Sequence, residues 1–275
     1  MRQHPALLVD NVAVVTGAAD GIGLAAAKLF LSLGMRVCIA DIDTEKLSRV
    51  AEQLGEVLVV ATDVSKIEQV QNLKAQVYKA FGQVDVLMNN AGTSIANDSW
   101  SEYDNWQTVI NVNLWGVING VHSFTDAMID QGTPGLIINT GSKQGITTPP
   151  GNPAYNVSKA GIKSATEALQ HSLRTTEFCQ ITAHLLVPGF TYTGIVSKFI
   201  DEKPPGAWTS GQVVEFMLES VNRGDFYMLC PDSDTTRETD NKRMQWAMGD
   251  LVHNRPALSR WHPDFESEFA TFMEQ

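Results

Sequence analysis

Short apolar runs rich in β-branched residues alternate along this chain with longer amphipathic stretches. Residues 12–15, 37–40, 57–61, 84–88, 136–139, 181–187 and 226–230 each have the length and composition of a buried strand. Between them, residues 24–33, 44–54, 65–81, 106–128, 160–178 and 208–221 predict helices. Gly34 stops the first, Ser65 is the expected cap of the third, and Asn152 with Pro153 opens the fifth. Strands alternating with helices imply a parallel sheet covered on both faces. Asn111 and Asn113 fall inside the 106–128 helix next to Gly116, where asparagine is a poor choice; they imply specific packing or a local kink. Residues 194–207 lack periodicity and read as a mobile flap. After Pro231 the composition turns polar and acidic, then supplies scattered aromatic bulk.

The composition narrows the picture. With 275 residues and 43% hydrophobic content, the chain can bury the core of one large domain. Its 31 acidic against 20 basic residues leave a net charge of −11 without a dense basic run, which argues against nucleic acid or an anionic membrane as partner. The three cysteines and six histidines show no paired or metal-ligand spacing, so no disulfide and no metal site is expected. The apolar run 6–9 is too short for a signal peptide or a membrane span. The chain reads as a soluble, cytoplasmic protein.

Candidate chemistry starts at Thr16-Gly-Ala-Ala-Asp-Gly-Ile-Gly23, between the first strand and first helix. Gly17, Gly21 and Gly23 would let backbone approach a pyrophosphate, and the helix N-terminus supplies amides and partial positive charge. Asp41 ends the second strand about 20 residues beyond, where a carboxylate can accept hydrogen bonds from an adenosine ribose. A 2′-phosphate would be repelled there; Ile42 offers no compensating charge and Asp20 adds a second acid, so NAD is expected over NADP. Asp63 follows the third strand and is either a turn or cap residue or part of the cofactor edge. Asn90, Ala91 and Gly92 stand at the end of the fourth strand. Ser142 lies just past the fifth, 13 residues before Tyr155, and Tyr155 and Lys159 share a helix face at a spacing of four.

In their order and spacing, Thr16-Gly-x-x-x-Gly-Ile-Gly23, Asp63-Val64, Asn89-Asn-Ala-Gly92, Asn113, Ser142, Tyr155-x-x-x-Lys159 and Pro188-Gly189 resemble the short-chain dehydrogenase/reductase family over roughly residues 8–231. The resemblance implies an α/β fold: one Rossmann-like, doubly wound domain with a seven-stranded parallel sheet, assembled as a homodimer or homotetramer. Residues 1–231 would form the catalytic, dinucleotide-binding domain and 232–275 an extension. It also implies a catalytic tetrad of Asn113, Ser142, Tyr155 and Lys159. Asp20, Ile22, Ile42 and Val64 join the glycines, Asp41, Asp63 and the 90–92 segment around the cofactor. Tyr155, Lys159, Pro188 and Gly189 meet it from the other side. Thr191 and Thr193 resemble residues that contact the nicotinamide carboxamide, their other reading being turn and cap residues.

The chemistry of the tetrad is that of hydride transfer between a secondary alcohol and NAD. A free tyrosine, with a pKa of about 10, is a poor base at neutral pH. A neighbouring ammonium favours the phenolate, and so does the positive oxidised nicotinamide ring. Ser142 would orient the substrate oxygen, and Asn113 would hold Lys159 through water, as in relatives; Asn111 is a rival by proximity only. Ser142, Gln144, Tyr155, Phe190 and Tyr192, with residues 93–96 and the flap, would line the substrate pocket. Lys143 is the only positive charge in the loop before Tyr155, so a neutral, fairly hydrophobic secondary alcohol or ketone is expected. Two alternatives accompany this reading: a silent NAD-binding regulator or redox sensor, against which the intact tetrad argues, and an epimerase or dehydratase, which the lack of a substrate domain disfavours. Residues 232–275 either pack on the protein's own surface or a neighbouring subunit, or close over the substrate.

Overall fold

The structure, a computed structural model, describes residues 3–194, 196, 200, 202–232 and 235–275. Of the expected flap, residues 195, 197–199 and 201 lie outside the described residues, as do 233–234 at the start of the extension.

Strands β1 (Val12–Thr16), β2 (Arg36–Asp41), β3 (Val57–Ala61), β4 (Val86–Asn89), β5 (Gly135–Thr140), β6 (Ile181–Val187) and β9 (Tyr227–Leu229) form one parallel sheet in the order β3-β2-β1-β4-β5-β6-β9. The chain is a single α/β domain around a seven-stranded sheet. Successive strand residues feed opposite faces. Ala13, Val15, Val37 and Ile39 pack under helices α1 (Gly21–Ser32), α2 (Thr44–Leu54) and α8 (Ser210–Arg223). Val12, Val14, Cys38 and Ala40 pack under α3 (Ile67–Phe81), α5 (Gly116–Asp130) and α7 (Pro153–Thr175). With both faces covered, the strands read as continuous apolar runs, which is why they were visible in the sequence. Strands β7 (Thr191–Tyr192) and β8 (Trp208–Thr209) make a short parallel pair outside this sheet.

Several expected boundaries move for local reasons. Ser65 does not cap α3: Asp63 Oδ1 accepts from both the backbone and the hydroxyl of Ser65, and the helix starts at Ile67. The 106–128 helix is interrupted. Helix α4 (Tyr103–Ile110) passes through a π-turn at Asn111–Trp115 before α5 begins. Helix α7 ends at Thr175, short of 178, and Trp208 belongs to β8, with Thr209 forming a capping box with Gln212 at the head of α8.

Beyond β9, helix α9 (Arg237–His253) packs against the short helix α6 (Gln144–Thr147), and α10 (Glu266–Glu274) folds back on α9. Trp246 is the centre of this segment. Its ring lies 5.2 Å from Phe269 and 5.3 Å from Phe272, with the Arg255 guanidinium 3.9 Å from its face. Its indole N–H donates to Ser259 Oγ at 2.8 Å. Trp246→Ala should therefore cost about 3–5 kcal/mol of stability in this segment, read as earlier protease cleavage after residue 231 and a lower urea midpoint.

Candidate active site on the carboxyl edge of the sheet

The order of the sheet reverses between β1 and β4, and the crevice this leaves at the carboxyl ends of the strands is where open α/β sheets bind ligands. The end of β1 supplies the glycine turn. Gly17 has φ +66°, and a Cβ on it would come 2.6 Å from Ala91 Cα; a Cβ on Gly23 would come 2.1 Å from Gly17 O. Only glycine allows this packing. Thr16 and Asn90 pin the turn. Thr16 Oγ1 accepts from Asn90 N and Ala91 N, while the Asn90 amide donates to Thr16 O at 3.1 Å. Asp20 caps α1 through Gly21 N, and Ile22 is half-buried against the core behind it.

Asp41 ends β2 with its carboxylate fixed: Oδ2 accepts from Ala19 N and Oδ1 from Asp43 N, both at 3.0 Å. Ile42 beside it is 68% exposed. Asp63 is engaged with Ser65, which favours the turn reading, and Val64 is buried with its carbonyl accepting from Asn119. Thr193 reaches the turn from the opposite side: a Cβ on Gly21 would lie 3.2 Å from Thr193 Cβ. Thr191 is buried in β7. Pro188 O accepts from Lys143 N, which joins the loops after β5 and β6.

Ser142, Tyr155 and Lys159 converge. Asn152 caps α7 by accepting from Tyr155 N and also binds Asn97 and Ser94, so the helix start is fastened to the segment after β4. The Tyr155 phenol lies beside the Ser142 hydroxyl, which accepts from Gln144 N at 3.2 Å. Lys159 is buried, its ammonium 5.6 Å from the centre of the Tyr155 ring and donating to Thr140 O at 2.8 Å. Burial pushes the Tyr155 phenol up, the Ser142 hydroxyl opposing it. Burial brings Lys159 down from 10.5 to about 8. The expected lowering of the phenol by Lys159 is not seen in the chain on its own, where desolvation dominates and Ser142 alone opposes it.

Asn113 is fully buried, and its side-chain hydrogen bonds go to Thr93 and Ser158 rather than to Lys159. Its amide donates to Thr93 O and Ser158 Oγ and accepts from Thr93 N at 2.7 Å, tying the 93 segment to α7. Gly92 lies between the two groups: a Cβ there would be 3.4 Å from Asn113 Oδ1 and 3.8 Å from Lys159 Nζ. On the rim, Gln144 is exposed, Phe190 is 41% exposed, and the Tyr192 hydroxyl donates to Ile200 O.

Lys143 points away from the rim. Its ammonium lies 2.6 Å from Asp240 Oδ2 of α9 and 3.3 Å from Asp232 Oδ1, which itself accepts from Phe190 N. Sequence reasoning named Thr16 only as the start of the glycine motif and missed Asn97, Thr140, Ser158, Asp232 and Asp240, all of which act through long-range contacts. Only Thr16, at a strand end before a glycine turn, carried a local signal.

The fit of the edge to a dinucleotide is carried by the cradle at Gly17 and Gly23 and by the fixed Asp41 carboxylate. Among the described residues no cluster of His, Cys, Asp and Glu is placed to hold a metal, and no helix is long and apolar enough to cross a membrane.

The family model for short chain dehydrogenases matches residues 11–204. The CLA biosynthesis dehydrogenase/reductase of Lactiplantibacillus plantarum is 32% identical over 191 residues, covering 68% of this chain and 66% of that protein, a little under two thirds of its length. Among solved structures, a short chain dehydrogenase/reductase from Burkholderia phymatum in complex with NAD superimposes with a TM-score of 0.82 at 32% identity, over 90% of this chain and 96% of that one. An alcohol dehydrogenase from the archaeon Thermococcus sibiricus, complexed with 5-hydroxy-NADP, gives a TM-score of 0.69 at 27% identity over 77% and 90% of the two chains. Structural neighbours thus bind both forms of the nicotinamide cofactor.

The buried lysine makes a pH-dependent contribution that can be measured. Its folded pKa of about 8 lies below the ordinary 10.5, so between these values the unfolded chain holds more protons and stability rises with pH. Below pH 8 the burden is constant at about 3 kcal/mol. In urea melts Lys159→Met should be the more stable protein at pH 7 by about 2 kcal/mol after loss of the Thr140 bond, with the gap closing as pH rises from 8 to 10.5.

Proposed function

The chain belongs to the short-chain dehydrogenase/reductase family and is an oxidoreductase, and from that premise we propose that it transfers a hydride between NAD and a neutral, fairly hydrophobic secondary alcohol or ketone. The observation that carries this reading is the convergence of the Ser142 hydroxyl and the Tyr155 phenol beside the buried Lys159, at the reversal point of the sheet. The bound cofactor supplies the hydride acceptor or donor; the proton is handled by the chain. In oxidation Tyr155 Oη takes the proton of the substrate hydroxyl, and in reduction it returns one to the carbonyl oxygen. Ser142 Oγ donates to the same oxygen and stabilises the charge that develops on it. Lys159, one helical turn beyond Tyr155, offsets part of the cost of a phenolate in a desolvated site.

Asn113 is the positioning residue of the set, through Thr93 and Ser158. The cofactor would lie along Gly17 to Gly23, Asp41, Asn90 to Gly92 and Pro188 to Thr193, with Asp41 on the adenosine ribose. Ile42 offers a 2′-phosphate no positive charge, which supports NAD. Lys143, the cation of the substrate loop, is already met by Asp240 and Asp232, which supports a neutral substrate. Gln144, Phe190 and Tyr192 would contact it. Residues 232–275 belong with the catalytic domain in this reading, through that same ion pair. Three free thiols fit a reducing cytoplasm. Half-exposed Trp115 and Val157 offer an apolar face to a second copy, in keeping with a dimer or tetramer.

Substrate-dependent NADH formation across a panel of secondary alcohols tests the activity. Tyr155→Phe should lower kcat by at least about a hundredfold while NAD still binds within a few-fold; full turnover by that variant would refute the proton-transfer role. For cofactor choice, kcat/KM with NAD should exceed that with NADP by at least tenfold, because like charges near 4 Å repel by up to about 4 kcal/mol at a protein surface. Asp41→Ser should narrow the gap, and a parent enzyme preferring NADP would overturn the assignment.

A further inference from the structure

Beside the Ser142 loop, α9 and the turn after it enclose a cavity of about 60 Å³. Lys143, Arg243 and Arg260 face it with a single carboxylate, Asp240, while Leu229 and Met244 supply apolar wall. Three cations at one small cavity stand out in a chain of net charge −11. Lys143 has its carboxylates, but the two arginines are short of a partner. Lys143 Nζ is held by Asp240 Oδ2 at 2.6 Å and Asp232 Oδ1 at 3.3 Å. Arg243 reaches Thr235 Oγ1 with Nη1 at 3.3 Å, but its Nε is buried without an acceptor among the described residues.

Arg260 stacks on Trp261 and Phe269, its guanidinium 4.8 Å and 5.3 Å from the two rings. No carboxylate among the described residues lies within ion-pair distance of either arginine. The two guanidiniums also feel one another: burial and the charge of Arg243 hold Arg260 below its ordinary range. A buried guanidinium N–H without an acceptor costs free energy, and so does the approach of two like charges. A bound anion relieves both at once.

We propose that this cavity binds a single small oxyanion, phosphate or a carboxylate, held between Arg243 and Arg260 with the Lys143 ammonium alongside. The planar forks of two guanidiniums suit the oxygens of such a group, and the apolar walls strengthen the attraction by excluding water. The volume admits one group of this size and no cofactor. Because Arg243 stands on α9 and Lys143 follows Ser142, the anion fastens the C-terminal segment to the loop that carries the serine.

The test is isothermal titration of the full chain with inorganic phosphate at constant ionic strength, repeated with Arg243→Gln and Arg260→Gln. Phosphate should bind saturably at one per chain, acetate should compete, and each variant should weaken binding by at least about tenfold through loss of a charge-assisted contact. The parent should also melt at a higher temperature in phosphate than in chloride, and the variants should not. No heat at millimolar phosphate would overturn the proposal. Binding retained in both variants would overturn it too, by locating the anion elsewhere, as at the glycine turn. If Arg243→Gln does not fold, Arg260→Gln decides alone.

Discussion

Two stretches of backbone have to pass in van der Waals contact where the sheet reverses its order, and the chemical face of the molecule is built around that approach. The turn after β1 meets the end of β4 so closely that Gly17 has no room for a side chain beside Ala91. Thr16 and Asn90 hold the two stretches together with hydrogen bonds spanning more than 70 residues of sequence. With that junction fixed, the neighbouring strands deliver Asp41 on one side and Ser142 on the other along the same edge. Helix α7 then presents Tyr155 and Lys159 to the serine, because its start is fastened to the segment leaving β4 through Asn97 and Asn152.

Two buried polar side chains next to this edge are matched by partners far away in sequence. Asn113 spends its amide on Thr93 and Ser158, and Lys159 donates to Thr140 O. An asparagine buried in a helix needs a reason, and the π-turn at Asn111–Trp115 supplies one: it re-aims the helix where Asn113 must face inward. The local irregularity serves long-range polar satisfaction. Lys159 carries the remaining tension, since a charge kept from water makes the site costly at neutral pH while supplying the field a phenolate requires.

The strands of this protein were legible because a parallel sheet covered on both faces leaves uninterrupted apolar runs, and the helices between them because α2 and α7 carry clear start signals. The glycine turn, Asp41 and the Tyr155–Lys159 spacing were local patterns and could be read as such. What escaped depends on partners far away in sequence. Asp63 holds Ser65, so that Ser65 is no cap, and nothing in either residue type announces which of the two will win. Asn97 and Ser158 are ordinary polar residues until the fold brings Asn152 and Asn113 to them. Lys143 looked like a charge for the substrate pocket, and only the position of α9 shows that Asp240 already meets it.

That last contact ties two parts of the chain together for any attempt to engineer it. The family match ends at residue 204, yet the residue following Ser142 has its counter-charges at Asp232 and Asp240. Trimming the gene to the shared core, or grafting a tail from a shorter relative, would strand an ammonium group in a partly dry cleft next to the serine. A neutral residue at 143 would remove that penalty and leave two carboxylates in need of cations instead. The tail and the loop therefore act as one electrostatic unit, and a change in either has to be answered in the other.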